Sequence, residues 1–129
     1  MLVNGILNPA INSLLSRVRH TNTIVIADRG FPYWPQIETV DIALVDDIPT
    51  VLQVLAAIRG NFAVGGAFMA EEFRAHNRPD VQAKFAGVLD GVSTAWEPHA
   101  AFKSRIPSAI GLIRTGDTTQ YANVILVSA

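Results

Sequence analysis

The side chains able to carry chemistry fall in three places. His20 and Asp28 flank the segment TNTIVIA, residues 21–27, which reads as a strand, and a strand rising about 3.3 Å per residue holds its two ends well apart. The pair therefore meets within one subunit only if the chain folds back, and otherwise across a subunit boundary. An imidazole suits proton transfer near neutral pH, but a histidine that follows a helix is equally well a cation favoured by the dipole. Asp28 sits where carboxylates often hold ligands in open parallel sheets, or else cap the next turn.

His99 and Lys103 are four apart in the segment PHAAFK, so a helix there puts both on one face. Two like-signed groups at that spacing lower each other's pKa, which suits proton transfer; a solvated surface pair has the same spacing. The chain has eight Arg and two Lys, so a lysine at 103 runs against its own bias. Tyr121 and Asn123, in the segment IRTGDTTQYANVIL from Ile113 to Leu126, can hydrogen-bond a polyol or pack and hold a turn. Tyr33 and Trp34 can stack on a sugar or make an oligomer contact. Glu71 and Glu72 read as ordinary solvated charges and His76 as a surface residue. The histidines lack metal-binding spacing, and no phosphate-loop, dinucleotide or nucleophile-elbow motif is present.

These groups need elements to hold them. Asn8-Pro9 reads as an N-cap with proline in the first turn, followed by Ile11, Leu14, Leu15 and Val18 at helical spacing to about Arg19. Thr23 to Ala27 is a strand covered on both faces, and Val40 to Leu44 is a second. Asp47 and Pro49 open a helix whose apolar face is Val51, Leu52, Leu55 and Ile58, stopped by Gly60. Gly65 to Ala70 is a strand, Pro79 starts a helix, Thr94 to Glu97 is a short strand and Pro98 to Arg105 a short helix. Ser108 to Arg114 and Asn123 to Ser128 are the final strands. This alternation predicts one domain, residues 1–129, folded as a three-layer α/β/α sandwich around a largely parallel sheet, with ligands at strand carboxyl ends.

Composition narrows the function further. Half of the 129 residues are hydrophobic and 16% are charged, an apolar excess that a core and partner subunits would cover. The net charge of −1, with basic residues spread out, offers no face for nucleic acid. There is no cysteine, which removes thiolate chemistry and leaves a reducing compartment acceptable. The first residues lack a basic, then apolar, leader pattern, and no apolar run reaches membrane-spanning length; the expected location is the cytoplasm, without membrane contact.

Three segments, GILNPAINSLLSRVRHTNTIVIADRGFP, PHAAFK and IRTGDTTQYANVIL, resemble in order and spacing the D-ribose pyranase and L-fucose mutarotase family, the RbsD/FucU type. The resemblance implies a cofactor-free, metal-free isomerase that opens and recloses the ring of a free monosaccharide. It makes His20 the general acid and Asp28, His99, Lys103, Tyr121 and Asn123 the substrate-binding residues. It further implies a ring of subunits, a pentamer or decamer, with the site near a subunit boundary. His20-Thr21 and Tyr121-Ala122-Asn123 look more like the ribose branch, while Phe31-Pro32 looks more like the fucose branch. Arg19, Arg29 and Asp117 depart from the ribose pattern. Arg29 would recognise an anionic or larger sugar, or pair with a neighbouring carboxylate. The expected substrate pair is β-pyranose and β-furanose D-ribose; the alternatives are an L-fucose-type or other aldose mutarotase, and a sugar-sensing or transport-associated binder without catalysis.

Overall fold

The computed structural model describes residues 1–129. Strands β1 (Thr23–Ala27), β2 (Glu38–Asp41), β3 (Val64–Ala70), β4 (Thr94–Glu97), β5 (Gly111–Arg114) and β6 (Val124–Ser128) form one sheet in the order β2-β5-β1-β6-β3-β4. All neighbours are parallel except β6, which runs antiparallel to both β1 and β3. The helices are α1 (Pro9–Ser16), α2 (Val51–Arg59), α3 (Glu71–His76), α4 (Pro79–Val88) and α5 (His99–Ser104), with a 3-10 turn at Ile106–Ser108. No helix is long and apolar enough to cross a membrane.

The alternation of side chains along β1 builds two cores. Ile24 and Ile26 face one way, onto Leu14, Leu55, Ile58 and Phe85 of α1, α2 and α4. Val25 and Ala27 face the other way, onto Phe102 of α5 and Ile106. Successive strand residues point to opposite faces, so an uninterrupted apolar run is what a central strand under two helical layers requires. The structure is the expected single-domain α/β/α sandwich.

Local chemistry sets the element ends. Asn8 accepts from Ile11 N at 3.0 Å, capping α1 with Pro9 in its first turn. Helix α1 stops at Ser16, a turn short of the expected Arg19. The N-cap of α2 is Thr50, in a capping box with Gln53, rather than the Asp47-Pro49 pair. Two elements differ more. The expected second strand is shifted back to Glu38–Asp41, and residues 44–48 turn back on themselves through a Val45–Ile48 bridge. Helix α3 follows β3 without a loop; it places Phe73 in the core between Phe85 and Trp96.

Candidate active site

The direction of β6 builds the site. Five parallel strands bring their carboxyl ends to one edge, and an antiparallel β6 brings its amino end there too. Asp28 follows β1, His99 opens α5 two residues after β4, and Tyr121 and Asn123 precede β6. These four line one cavity of about 410 Å³, together with Gly30, Phe31, Pro32, His76 and Gln120. A larger cleft of about 590 Å³ beside α4, lined by Met69, Phe73 and Trp96 among others, contains none of the six predicted site residues.

Asp28 and Asn123 are tied at both ends. The Asp28 backbone N–H donates to Asn123 Oδ1 at 2.8 Å, and Asn123 Nδ2 donates to Asp28 Oδ2 at 3.1 Å. Gly30 N–H donates to the other carboxylate oxygen at 3.0 Å. Asn123 is 2% exposed, so its two part-buried bonds to Asp28 are partly shielded from water and fix the carboxylate direction. Burial pushes the Asp28 carboxyl above its usual range, against the hydrogen bonds from Asn123, Gly30 and Phe31.

Across the cavity, the His99 ring is stacked on Phe102 and meets Phe31 and Tyr121 edge-on, the Tyr121 centroid lying 5.1 Å away. Burial first, and the Lys103 ammonium second, hold this imidazole below its ordinary pKa; Glu72 and Asp28 act the other way. Nδ1 of His99 is buried without a protein partner, a condition that buried polar atoms rarely keep unless a ligand or water serves them. Tyr121 is in the left-handed region, at φ 56°, a conformation uncommon for a bulky residue and associated with functional sites.

The loop carrying Tyr121 is pinned from below. Thr115 donates to Ala27 O through both its N–H (2.9 Å) and its hydroxyl (2.8 Å). Asp117, 2% exposed, accepts from Val51 N at 2.8 Å and Thr119 N at 2.8 Å. Its charge is thereby placed at the start of α2, where the helix dipole favours it. Thr118 binds Asp47 through its N–H at 2.9 Å and its hydroxyl at 2.8 Å. On the other wall, Arg114 donates to the carbonyls of Arg29, Phe31 and Pro32 and shapes the loop after β1.

The remaining predicted residues lie apart from the cavity. His20 is exposed at the amino end of β1, beside the Ser128 end of β6, where Ser128 O accepts from Thr21 N at 3.1 Å. The five residues of β1 separate it from Asp28 by about 17 Å, so one subunit does not bring the two together. Lys103 is half-buried one turn beyond His99 and does not line the cavity. Trp34 packs on Phe31, Tyr33 is 70% exposed, and neither reaches the cavity. Arg29 pairs with Asp46 at 2.6 Å, the second of its two readings.

Two residues passed over in the sequence belong here. Glu72 is no free surface charge: both its carboxylate oxygens accept from His99 N at 3.0 Å. His76 is exposed, as expected of a surface residue, and it also lies on the cavity wall. Neither was recognisable without α3, which is short and follows a strand directly. No group of three His, Cys, Asp or Glu side chains is placed to hold a metal ion.

A family model described as the RbsD / FucU transport protein family matches residues 1–129. A D-ribose pyranase of Geobacillus kaustophilus is 39% identical over 128 residues, covering 99% of this chain and 93% of the relative. One from Geobacillus thermodenitrificans is 41% identical, covering 99% and 96%. Among solved structures, Bacillus subtilis RbsD complexed with D-ribose superposes with a TM-score of 0.93 at 30% identity, over 100% of this chain and 98% of that one. A fucose mutarotase from Streptococcus pneumoniae in complex with L-fucose shares the fold, with a TM-score of 0.81 at 18% identity over 95% and 93% of the two chains. The chain belongs to the RbsD / FucU family.

Proposed function

We propose that this protein is a cofactor-free mutarotase that interconverts ring forms of a free monosaccharide, with β-pyranose and β-furanose D-ribose as the substrate pair. The observation that carries the reading is the Asp28–Asn123 pair facing His99 and Tyr121 across a cavity of monosaccharide scale. The full-length similarity to D-ribose pyranases supports the ribose branch over the fucose branch.

The chemistry is proton transfer alone. Ring opening removes the proton of the anomeric hydroxyl and delivers one to the ring oxygen; the free aldehyde then recloses through a different hydroxyl, and the protons return. Asp28, oriented by Asn123 and Gly30, accepts hydrogen bonds from sugar hydroxyls. His99, whose pKa burial and the Lys103 ammonium lower, takes the anomeric proton, and Lys103, outside the cavity, acts through His99. His20 gives a proton to the ring oxygen. Because β1 separates it from Asp28, it does so from a second copy, so the active unit is a homo-oligomer, a pentamer or decamer. Exposed apolar residues agree with subunit contacts: Leu44 is 75%, Val45 58% and Ile48 54% exposed. A cytoplasmic location goes with this reading, and the cysteine-free composition is compatible with it.

Saturation-transfer NMR between the ring forms of D-ribose and of L-fucose tests the reading. Exchange with wild type that disappears in His20→Ala and Asp28→Asn is expected, D-ribose being the better substrate. Mixing the two inactive variants should restore exchange if His20 and Asp28 come from different copies. A folded protein that raises no exchange in any aldose, yet melts higher with sugar, would be the binder instead.

A further inference from the structure

The pocket holds a second imidazole. His76 closes α3 with its ring on the cavity wall, 5.1 Å from the Tyr121 ring. Tyr121 is thus flanked by two imidazoles, for His99 stands at the same 5.1 Å. The tautomer of His76 follows from its partner. Nδ1 lies 2.9 Å from the Glu72 carbonyl oxygen, and a carbonyl only accepts, so Nδ1 carries the proton. In the neutral ring Nε2 is then an acceptor, and no protein group bonds to it.

Capping the end of α3 occupies Nδ1 and leaves Nε2 open to solvent and to the cavity whose wall the ring forms. His76 is exposed, but the turn that carries its ring is fastened on both sides. Asn77 Nδ2 donates to Phe73 O and to Gln120 O, both at 2.8 Å, joining the end of α3 to the loop that carries Tyr121. Gln82 Nε2 donates to Arg74 O at 3.0 Å and Asn77 O at 2.8 Å, fastening the same turn to α4. Glu72 connects the two imidazoles, its carbonyl fixing His76 and its carboxylate fixing the backbone of His99. A preformed acceptor at a fixed position is what a site needs to recognise one hydroxyl among several.

We propose that His76 is a specificity-determining residue whose Nε2 accepts a hydrogen bond from one non-anomeric hydroxyl of the bound aldose. The inference rests on the mutarotase reading for the identity of the ligand, with the anomeric hydroxyl assigned to His99. A site that hydrogen-bonds a hydroxyl discriminates against the analogue lacking it. A sugar deoxygenated at that carbon should therefore bind wild type and a His76 variant alike.

The test pairs variants with sugars. His76→Phe keeps an aromatic ring without an acceptor, and His76→Gln can return a polar atom near the position of Nε2. Calorimetry gives Kd for D-ribose and its monodeoxy analogues with all three proteins, and saturation transfer gives exchange rates on the same samples. His76→Phe is expected to weaken D-ribose by about five- to tenfold, the range of a neutral hydrogen bond. His76→Gln should stay within about threefold of wild type, and one monodeoxy analogue should show no loss in His76→Phe. A D-ribose Kd within twofold of wild type in His76→Phe overturns the proposal, as does an equal loss with every sugar, which is what a structural role would produce. If wild type binds but does not exchange D-ribose, the mutarotase reading fails and the Kd comparison still decides His76.

Discussion

Replacing Asn123 by aspartate tests the clamp at the centre of the site. The variant keeps an oxygen to accept from Asp28 N but sets a carboxylate where Nδ2 now donates to Asp28 Oδ2 at 3.1 Å. Two unit charges about 3 Å apart repel by about 5 kcal/mol at an effective dielectric of ~20. Asp28 is only half-buried, and screening roughly halves that figure to about 2–3 kcal/mol, equivalent to roughly two pKa units. The pair therefore shares one proton well above the ordinary carboxylate range. A carboxyl raised in the folded state contributes stability below its unfolded pKa and loses it as pH rises through the folded value. Wild-type Asp28 has this sign already, and the variant enlarges it. Thermal melts at pH 4 and pH 8 read the effect. The two proteins should melt close together at pH 4, and the variant about 8–12 °C lower at pH 8, taking ~4 °C per kcal/mol for a domain of this size. An equal gap at both pH values would refute the coupling of Asp28 to Asn123.

Lys103→Met removes the second cause of the low pKa of His99, so the midpoint of its ring proton resonances should move up, and the acid limb of the exchange rate with it; an unmoved midpoint would mean that the two charges do not interact. Arg114→Lys cannot reproduce a fork donating to the carbonyls of Arg29, Phe31 and Pro32, and D-ribose affinity should fall about fivefold; an unchanged Kd would remove Arg114 from the shaping of the site. A methyl group at Gly116 would collide with the backbone carbonyls of Val45 and Ile48, and crowding of this kind costs about 1–3 kcal/mol. Gly116→Ala should therefore melt about 4–12 °C lower, and a melting temperature within 1 °C of wild type would show that the 44–48 turn moves freely.

Some of this protein is written locally. The TIVIA run states that β1 is covered on both faces, because each successive side chain must find an apolar partner on the opposite side. Asn8-Pro9 and Pro79 mark helix starts, because a proline lacking an N–H is tolerated in the first turn. Asp28, His99, Tyr121 and Asn123 were recognisable as residue types in a familiar order. Other features depend on contacts that no local pattern encodes. Helix α3 is six residues long and begins where a strand ends, so its period is too short to read, and with it went the roles of Glu72 and His76. The reversal of β6 has a local trace, since residues 115–123 are too few for the crossover a parallel neighbour needs. Only the assembled sheet shows its consequence. Inserted between β1 and β3, β6 turns its amino end toward their carboxyl ends and sets Asn123 against Asp28, 95 residues away in the chain. Sequence supplied the groups, the elements that carry them and, through the length of β1, the separation of His20 from Asp28; the distances among Asp28, His99, Tyr121 and Asn123 come from strand order and direction, which are settled by long-range pairing.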